Sequence, residues 1–302
     1  MAAPAPERPE RATRRPLDEQ ALAHQLQRLS QAAAAPWLHG EVARRMAERL
    51  PVIKQQPHTV LDWWAGLGGG AAALAAVYPR AQVVAVEATA PAAVASPWWS
   101  PRRWGARGPT LRAEADIEAG SAQLVWANMM LHATPDPQVV MRQWQQALAV
   151  DGFLMFSTLG PGTLETLRAL YRKQGWPSPF APFVDMHDLG DMLVHAGFAD
   201  PVMDQETITL TWADAAALLA ELRTLGGNVD PARPAGLRTP RWREQLHKVL
   251  ASTAGADGRP ALPFELVYGH AFKPPPRPRV QQETSVPLQD LRAMVRAGRK
   301  PG

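Results

Sequence analysis

A glycine-rich turn stands where a short apolar strand meets a helical segment. The strand is predicted over 58–63 and carries Asp62 near its end, and the turn continues as Trp64-Ala65-Gly66-Leu67-Gly68-Gly69-Gly70. Such a turn lets the backbone approach a ligand and directs helix N–H groups toward it. Its glycines lack the G-x-G-x-x-G spacing of dinucleotide-binding turns, and an acid at Asp62 suits a ligand with a free amino group better than a pyrophosphate.

A second acid stands at the end of the next predicted strand. The strand over 82–86 is followed by Glu87, which lies 25 positions beyond Asp62, where related folds hold a ribose diol. An Asp and a Glu at two successive strand ends predict a ligand made of adenosine and a positively charged amino-acid tail. The competing interpretation of Glu87 is an exposed strand-end charge without a ligand.

The segments around these acids alternate between strand and helix. Further strands are predicted over 123–127 and 153–157, and helices near 71–78 and 137–148. This alternation is typical of a mostly parallel sheet covered by helices on both faces, so we expect a doubly wound α/β fold.

The second half of the chain adds a helical insertion between two β-rich segments. The β-rich segments are 207–212 and 264–272, and the best helical segments between them are 215–222 and 241–250. We interpret the stretch between the strands as a lid over the ligand site.

The pattern divides the chain into six parts. They are a disordered N-terminal arm (1–16), a helical entry segment (17–57), a ligand-binding core (58–212), a helical lid insertion (213–262), the last core strand (263–272) and a disordered basic tail (273–302).

The positive charge of the chain is confined to its ends. The formal net charge is +4, but residues 273–302 carry +5 and residues 1–16 carry +2, which leaves the middle of the chain at −3. Both ends are rich in proline and free of aromatic residues, so we interpret them as solvated tails and expect no nucleic-acid partner.

Composition also excludes several classes of protein. The chain contains no cysteine, which excludes disulfides, thiolate metal sites and a cysteine nucleophile. No apolar run approaches the roughly 20 residues needed to span a bilayer, and the pair Arg14-Arg15 is not followed by an apolar signal sequence. We therefore expect a cytoplasmic protein with no membrane partner.

Five longer motifs follow the predicted strands and helices. They are NMMLHATPDP (128–137), TLGPGTLETLR (158–168), VDMHDLGDMLVHAGFADPVM (184–203), LRTLGGN (222–228) and VYGHA (267–271). Together they resemble the malonyl-[acyl-carrier protein] O-methyltransferases of biotin biosynthesis, within the class I methyltransferases. The resemblance covers about residues 36–272. It implies a seven-stranded Rossmann-like sheet with S-adenosyl-L-methionine as cofactor.

The resemblance assigns six residues to the cofactor. Asp62, Gly66 and Gly68 hold its methionine part, Glu87 holds the ribose, Asp116 holds the adenine amino group, and Asn128 is a further cofactor contact.

The implied reaction places a different demand on the acceptor site. A malonyl carboxylate is already ionised at neutral pH, so methyl transfer needs no general base, and the site must orient and partly desolvate the carboxylate. Arg223 is the leading candidate for binding it, and His132 and Thr158, at strand ends that face the same cleft, are secondary candidates. The alternatives are a surface ion pair for Arg223, a turn cap for His132 and a helix N-cap for Thr158.

No metal site is expected. His187 and Asp188 suggest metal ligands only in isolation, because in their motif they begin a helix and no second group of ligands accompanies them.

Three departures from the family pattern concern the cofactor. Trp64 stands where the acid-x-Gly-x-Gly-x-Gly motif has its first glycine, so its indole either fills the methionine pocket or turns away with a shift of the loop. The stretch between Asp116 and Val125 lacks the usual acidic, Phe-containing loop. The entry helix, over 20–36, lacks the tyrosine that closes over the cofactor.

Two hypotheses from different classes follow. The first is an active O-methyltransferase that methylates a carboxylate linked to acyl-carrier protein or to another thioester, acting as a monomer. The second is a catalytically silent paralogue that serves as a binding or regulatory partner. The glycine spacing and Asp62 disfavour a third hypothesis, a Rossmann dehydrogenase.

Overall fold

The computed structural model describes residues 14–88 and 110–276. The helices of this part of the chain are α1 (Glu19–Ser30), α2 (Trp37–Ala47), α3 (Ala65–Gly68), α4 (Ala71–Val77), α5 (Pro137–Ala147), α6 (Glu165–Lys173), α7 (Met186–His195), α8 (Ala215–Leu225) and α9 (Pro240–Ala251). Its strands are β1 (Thr59–Trp63), β2 (Gln82–Glu87), β3 (Thr110–Ala113), β4 (Ala122–Ala127), β5 (Leu148–Leu159), β6 (Ala199–Thr211) and β7 (Ala261–Phe272).

The seven strands form one sheet in the order β3-β2-β1-β4-β5-β7-β6. The first five strands in this order are parallel, whereas β7 runs antiparallel to both β5 and β6. The chain reverses its direction of travel across the sheet between β1 and β4, and ligands of such folds bind at the carboxyl ends of the strands at this point. The predicted doubly wound, mostly parallel α/β fold is therefore confirmed.

Helices cover both faces of the sheet and create two cores. Successive residues of a strand point to opposite faces, so Val60 packs in a first core with α2, whereas Leu61 and Trp63 pack in a second core with α5. The same alternation places the side chain of Asp62 on the face of Val60 and α2.

Most predicted elements match observed ones within a few residues, but α6 and β3 were not predicted. The four residues of β3 alternate between polar and apolar types, but three of them, including Leu111, are exposed, so a pattern this short does not indicate a buried strand. The predicted strand over 207–212 is the second half of the longer strand β6, and the entry segment contains two helices, α1 and α2. Helices α8 and α9 occupy the predicted insertion between β6 and β7, and their action as a lid stays a prediction.

The predicted N-terminal arm is wrong at Arg15. This residue is only 8% exposed, its backbone N–H donates to the Pro135 carbonyl at 2.7 Å, and its side chain donates to backbone carbonyls. In the predicted basic tail, Lys273 donates to the carbonyls of Gly152 and Leu148. The rest of both predicted segments, 1–13 and 277–302, lies outside the described residues. Within the described part of the chain, no helix has the length and apolar character needed to cross a membrane.

A pair of buried indoles in the second core provides a test of the packing. Trp63 and Trp144 meet edge to face with ring centroids 6.5 Å apart, and both are almost fully buried. The indole N–H of Trp63 donates to Glu114 at 2.9 Å, whereas that of Trp144 has no acceptor among the described residues.

We therefore expect Trp63→Phe to lower the free energy of unfolding by about 1–2 kcal/mol more than Trp144→Phe, because only Trp63 loses a hydrogen bond to a charged group. Denaturant unfolding of the two variants measures the difference. Equal losses would contradict the assignment of the hydrogen bond.

Candidate active site

The glycine-rich turn connects β1 to α4 through the single turn α3. Trp64 and Gly69 both have left-handed backbone conformations, with φ of 55° and 67°. A Cβ at Gly69 would lie 2.8 Å from the Cβ of Ala35, so this position requires glycine for space as well as for its backbone. The turn therefore packs directly against the segment between α1 and α2.

Asp62 lies beneath this turn as a buried acid without a partner. Its side chain is 1% exposed, and neither carboxylate oxygen accepts a hydrogen bond from any described residue. Burial raises the pKa of Asp62 to about 7, and the nearby charge of Glu87 adds to the rise. A buried carboxylate in this condition is stabilised by a cation or a proton donor, so the site suits a ligand with an amino group.

Glu87, at the end of β2, reaches across to the turn. Its Oε1 accepts a hydrogen bond from the backbone N–H of Gly66 at 2.9 Å. Burial raises the pKa of Glu87 and the charge of Glu114 adds to that rise, while the hydrogen bond from Gly66 opposes it. Two acids with raised pKa values thus lie on the two sides of one turn.

Asn128, at the end of β4, holds the turn in place. Its Nδ2 donates to the carbonyls of Gly68 at 2.6 Å and His39 at 2.8 Å, and its Oδ1 accepts from Ser157 at 2.7 Å. Both N–H donors of this fully buried side chain are therefore used within the protein. Asn128 positions Gly68 for a ligand, and the geometry gives no direct contact role to its side chain.

The indole of Trp64 packs away from Asp62. It is 8% exposed, belongs to the second core with Trp63, and donates to Glu114 at 2.6 Å. The backbone keeps the left-handed conformation that glycine favours at this position. The sequence allows an indole that fills the methionine pocket or one that turns away with a shift of the loop. The structure contains the second orientation.

Two cavities share Arg223 as a lining residue, and one of them, the outer cavity, is also lined by Gly66 and Leu67 of the turn. An inner cavity of about 300 Å³ has mostly apolar walls, includes His132, and has Arg15 and Arg223 as its charged lining residues. An outer cavity of about 430 Å³ runs along Gly66 and is also lined by Trp37 and Arg223. Arg223, an exposed residue near the end of α8, therefore stands between the two cavities.

Two neutral histidines connect the turn to the inner cavity. The Nδ1 of His39 contacts the Leu67 carbonyl at 2.8 Å, and its ring centroid lies 6.3 Å from that of His132. Burial lowers the pKa of His39 to about 4. The pKa of His132 is well below its ordinary value because of burial first and the neighbouring His39 and Arg15 second. Neither ring carries a positive charge at neutral pH.

The structure brings most, but not all, of the predicted site residues together. Asp62, Gly66, Gly68, Glu87 and Asn128 surround the turn, and His132 and Arg223 line the inner cavity.

Two predicted residues lie neither at the turn nor in the wall of a cavity, whereas Gly66 is the one predicted residue of the turn that lines either of the two cavities in the described part of the chain. Thr158 is buried within β5 opposite Val267 and lines neither cavity. Asp116 is exposed on the short turn after β3 and is likewise absent from both linings.

His187 and Asp188 lie in the first turn of α7. The helix begins at Met186, and the Asp185 side chain caps it by accepting from the His187 N–H at 2.8 Å. Among the described residues, no group of three or more acidic or histidine side chains could hold a metal ion.

Sequence reasoning missed three residues at the site. Arg15 belongs to a segment whose composition indicates a solvated arm, and His39 and Trp37 belong to α2, whose pattern predicts only a helix. Trp37 is 60% exposed at the edge of the outer cavity, and this unusual exposure of an indole is visible only in the structure.

Comparison with known proteins agrees with this geometry. The family model described as "Methyltransferase domain" matches residues 22–200. A malonyl-[acyl-carrier protein] O-methyltransferase of Laribacter hongkongensis is 40% identical over 253 residues, covering 80% of this chain and 84% of the relative. A protein of the same name from Gallionella capsiferriformans is 39% identical, covering 81% of this chain and 87% of the relative.

A solved structure supports the fold alone. The YcgJ protein of Bacillus subtilis superimposes with a TM-score of 0.50 over 78% of this chain and 99% of its own length, at 15% sequence identity.

The matching domain, the two relatives and the acid-flanked glycine turn at the switch point of the sheet lead to one assignment. The chain belongs to the malonyl-[acyl-carrier protein] O-methyltransferase family and is an S-adenosylmethionine-dependent methyltransferase.

Proposed function

We propose that the protein methylates the free carboxylate of a malonyl group carried by acyl-carrier protein, a step of biotin biosynthesis. The observation that carries the proposal is the charge of the inner cavity: its walls are apolar, two arginines line it, and no Asp or Glu is among its described lining residues. Such a cavity suits a short acyl chain that ends in a carboxylate. The names of the relatives support the same substrate.

The residues around the turn fit the methyl donor. The unpartnered carboxylate of Asp62 would bind the amino group of the methionine part, and Glu87 would bind the ribose hydroxyls. When bound, S-adenosylmethionine supplies an electrophilic methyl group on a positively charged sulfur. The ribose hydroxyls would then either replace the Gly66 N–H as hydrogen-bond donors to Glu87 or donate to Glu87 alongside it.

Methyl transfer to a carboxylate requires no proton transfer from the protein. With the donor bound, one carboxylate oxygen would form a bond to the methyl carbon, and the carbon–sulfur bond would break and leave its electron pair on sulfur. Burial lowers the pKa of His39 and His132 and makes both rings weak bases, which is compatible with a reaction that needs no general base. The protein's contribution is to hold the carboxylate in line and to remove part of its water.

Arg223 is the residue that we propose for attracting and binding the acceptor carboxylate from the rim. It stands between the two cavities, and no acidic side chain pairs with it among the described residues. Its backbone carbonyl accepts from Arg28 of α1 at 3.1 Å, so the end of α8 is tied to the entry segment. The lid role of α8 and α9, like the monomeric state and the cytoplasmic location, stays a prediction.

The silent-paralogue hypothesis is not favoured. Its main argument was an indole in the methionine pocket, and Trp64 instead packs in the second core. The relatives are all named as methyltransferases.

Replacing Arg223 tests its role in binding the acceptor. Arg223→Ala should lower turnover of a malonyl thioester by about 10- to 100-fold through the loss of charge-assisted hydrogen bonds, and should leave S-adenosylhomocysteine affinity unchanged. Arg223→Lys should restore only part of the activity because it lacks the bidentate fork. Arg142→Ala, an exposed arginine of α5, serves as the control, and full activity of Arg223→Ala would reject the role.

The raised pKa of Asp62 predicts pH-dependent cofactor binding. In the free protein at pH 6, most Asp62 side chains carry a proton that must leave before an ammonium group can pair with the carboxylate. Affinity for S-adenosylhomocysteine should therefore rise between pH 6 and pH 8, by at most about tenfold per pH unit below pH 7, and flatten above it. Calorimetry in buffers of different ionisation enthalpy should detect release of a proton at pH 6.

Two variants assign this proton. Asp62→Asn should weaken binding by about 1–3 kcal/mol and abolish the pH dependence. Glu87→Gln should also weaken binding but should move the midpoint to lower pH, because the charge of Glu87 contributes to the raised pKa of Asp62. A pH dependence that survives in Asp62→Asn would place the proton on another group.

Trp64 distinguishes an active enzyme from a silent relative. The wild-type protein should bind S-adenosylhomocysteine, and Trp64→Gly should lower the free energy of unfolding by about 2–4 kcal/mol through lost packing, partly offset by about 1 kcal/mol of relieved left-handed strain. Thermal melts measure the change in stability and calorimetry measures the binding, with Val194→Ala, at an exposed position of α7, as the control. A wild-type protein that binds only after Trp64→Gly would contradict the proposed function.

A further inference from the structure

Arg15 is a buried cation held by backbone carbonyls. Its Nη1 donates to the carbonyls of His132 and Thr134, and its Nη2 donates to that of Pro182 at 2.8 Å. Because its own N–H also bonds to Pro135, the segment before α1 is fixed against the loop that follows β4.

The charge of Arg15 has no counter-charge in the described part of the chain. Its guanidinium has five N–H donors, of which three have carbonyl acceptors, and Nε has no acceptor at all. Burial lowers the pKa of Arg15 to about 10, which still leaves the side chain charged at neutral pH. The neighbouring Arg14 differs, since it is exposed and pairs with Glu19.

The side chain of Arg15 forms part of the wall of the inner cavity, and its unmet Nε is buried behind that wall. Arg15 is 8% exposed and lines the cavity together with His132, Phe183 and Arg223. Leaving a buried cation without a counter-ion costs several kcal/mol in a medium of low polarity. A carboxylate that enters the cavity would offset this cost, whereas a neutral acyl group would add to it.

We propose that Arg15 binds the acceptor carboxylate from inside the inner cavity and thereby selects acyl thioesters that end in a negative charge. This inference rests on the proposed function and deepens it: Arg223 meets the carboxylate from the exposed rim, and Arg15 meets it from the interior. A carboxylate has enough acceptor positions for both guanidinium groups.

The test compares two ligands of similar shape and different charge. Malonyl-pantetheine ends in a carboxylate, and isovaleryl-pantetheine replaces that carboxylate by a neutral isopropyl group. Both are titrated into the protein saturated with S-adenosylhomocysteine, so that no reaction occurs. The wild-type protein should prefer the malonyl ligand.

Arg15→Met should lower the affinity for malonyl-pantetheine by about 10- to 100-fold and leave that for isovaleryl-pantetheine nearly unchanged, so the preference collapses. Arg15→Lys should keep part of the preference, and Arg14→Met should keep all of it. If Arg15 only held the N-terminal segment in place, both affinities would fall together and their ratio would persist, which would overturn the inference.

A measurement on the wild-type protein covers the case in which Arg15→Met does not fold. Malonyl-pantetheine should slow amide hydrogen exchange in the peptide that contains Arg15, and isovaleryl-pantetheine should not; equal protection by both ligands would overturn the inference. The proposed function fails separately, if the wild-type protein does not transfer a methyl group from S-adenosylmethionine to a malonyl thioester.

Discussion

Asp62 keeps a carboxylate inside the protein, under a turn of the backbone, with no proton donor from a described residue in contact with either oxygen. Such a group raises the free energy of the folded protein unless a proton or a cation joins it. The sheet nevertheless holds it at the carboxyl end of β1, and Asn128 and Glu87 fix the turn around it. We propose that the amino group of the ligand pairs with Asp62 and completes the site.

The two sides of the site carry opposite charges. The acids Asp62 and Glu87 lie at the glycine turn, whereas the cations Arg15 and Arg223 line the inner cavity. His39 and His132 lie between these acids and these cations, and burial keeps both histidines neutral. This polarity matches a methyl donor that is cationic and an acceptor that is anionic.

The sequence predicted the features that depend on strand ends and their order. Asp62 and Glu87 were identified because each follows an apolar run, and parallel strands bring such ends to one edge of the sheet. Asp116 was placed by resemblance and Thr158 by its position at a predicted strand end, and the structure brings neither of them to the turn or to a cavity, because β5 continues past Thr158. A residue's presence in a motif does not fix the direction of its side chain.

Other features depend on contacts that no local pattern encodes. The orientation of Trp64 depends on a hydrogen bond to Glu114, which is 50 positions away in the chain. Arg15 lies in a proline-rich, basic segment whose composition indicates solvent exposure. It is buried instead, and the carbonyls that accept hydrogen bonds from its side chain lie more than 100 positions away in the chain. Strand β3 forms because it pairs with β2, although its own residues are mostly exposed.

The ionisation state of Asp62 is the most direct test of whether this buried carboxylate pairs with the amino group of the cofactor. Carbon-13 NMR of selectively labelled aspartate carboxyls, with the Asp62 signal assigned by its loss in Asp62→Asn, follows this group through a pH titration. We expect a midpoint near pH 7 in the free protein and a fully ionised carboxylate at pH 6 once S-adenosylhomocysteine is bound. A midpoint near the ordinary value of about 4 in the free protein, unchanged by the ligand, would contradict this expectation.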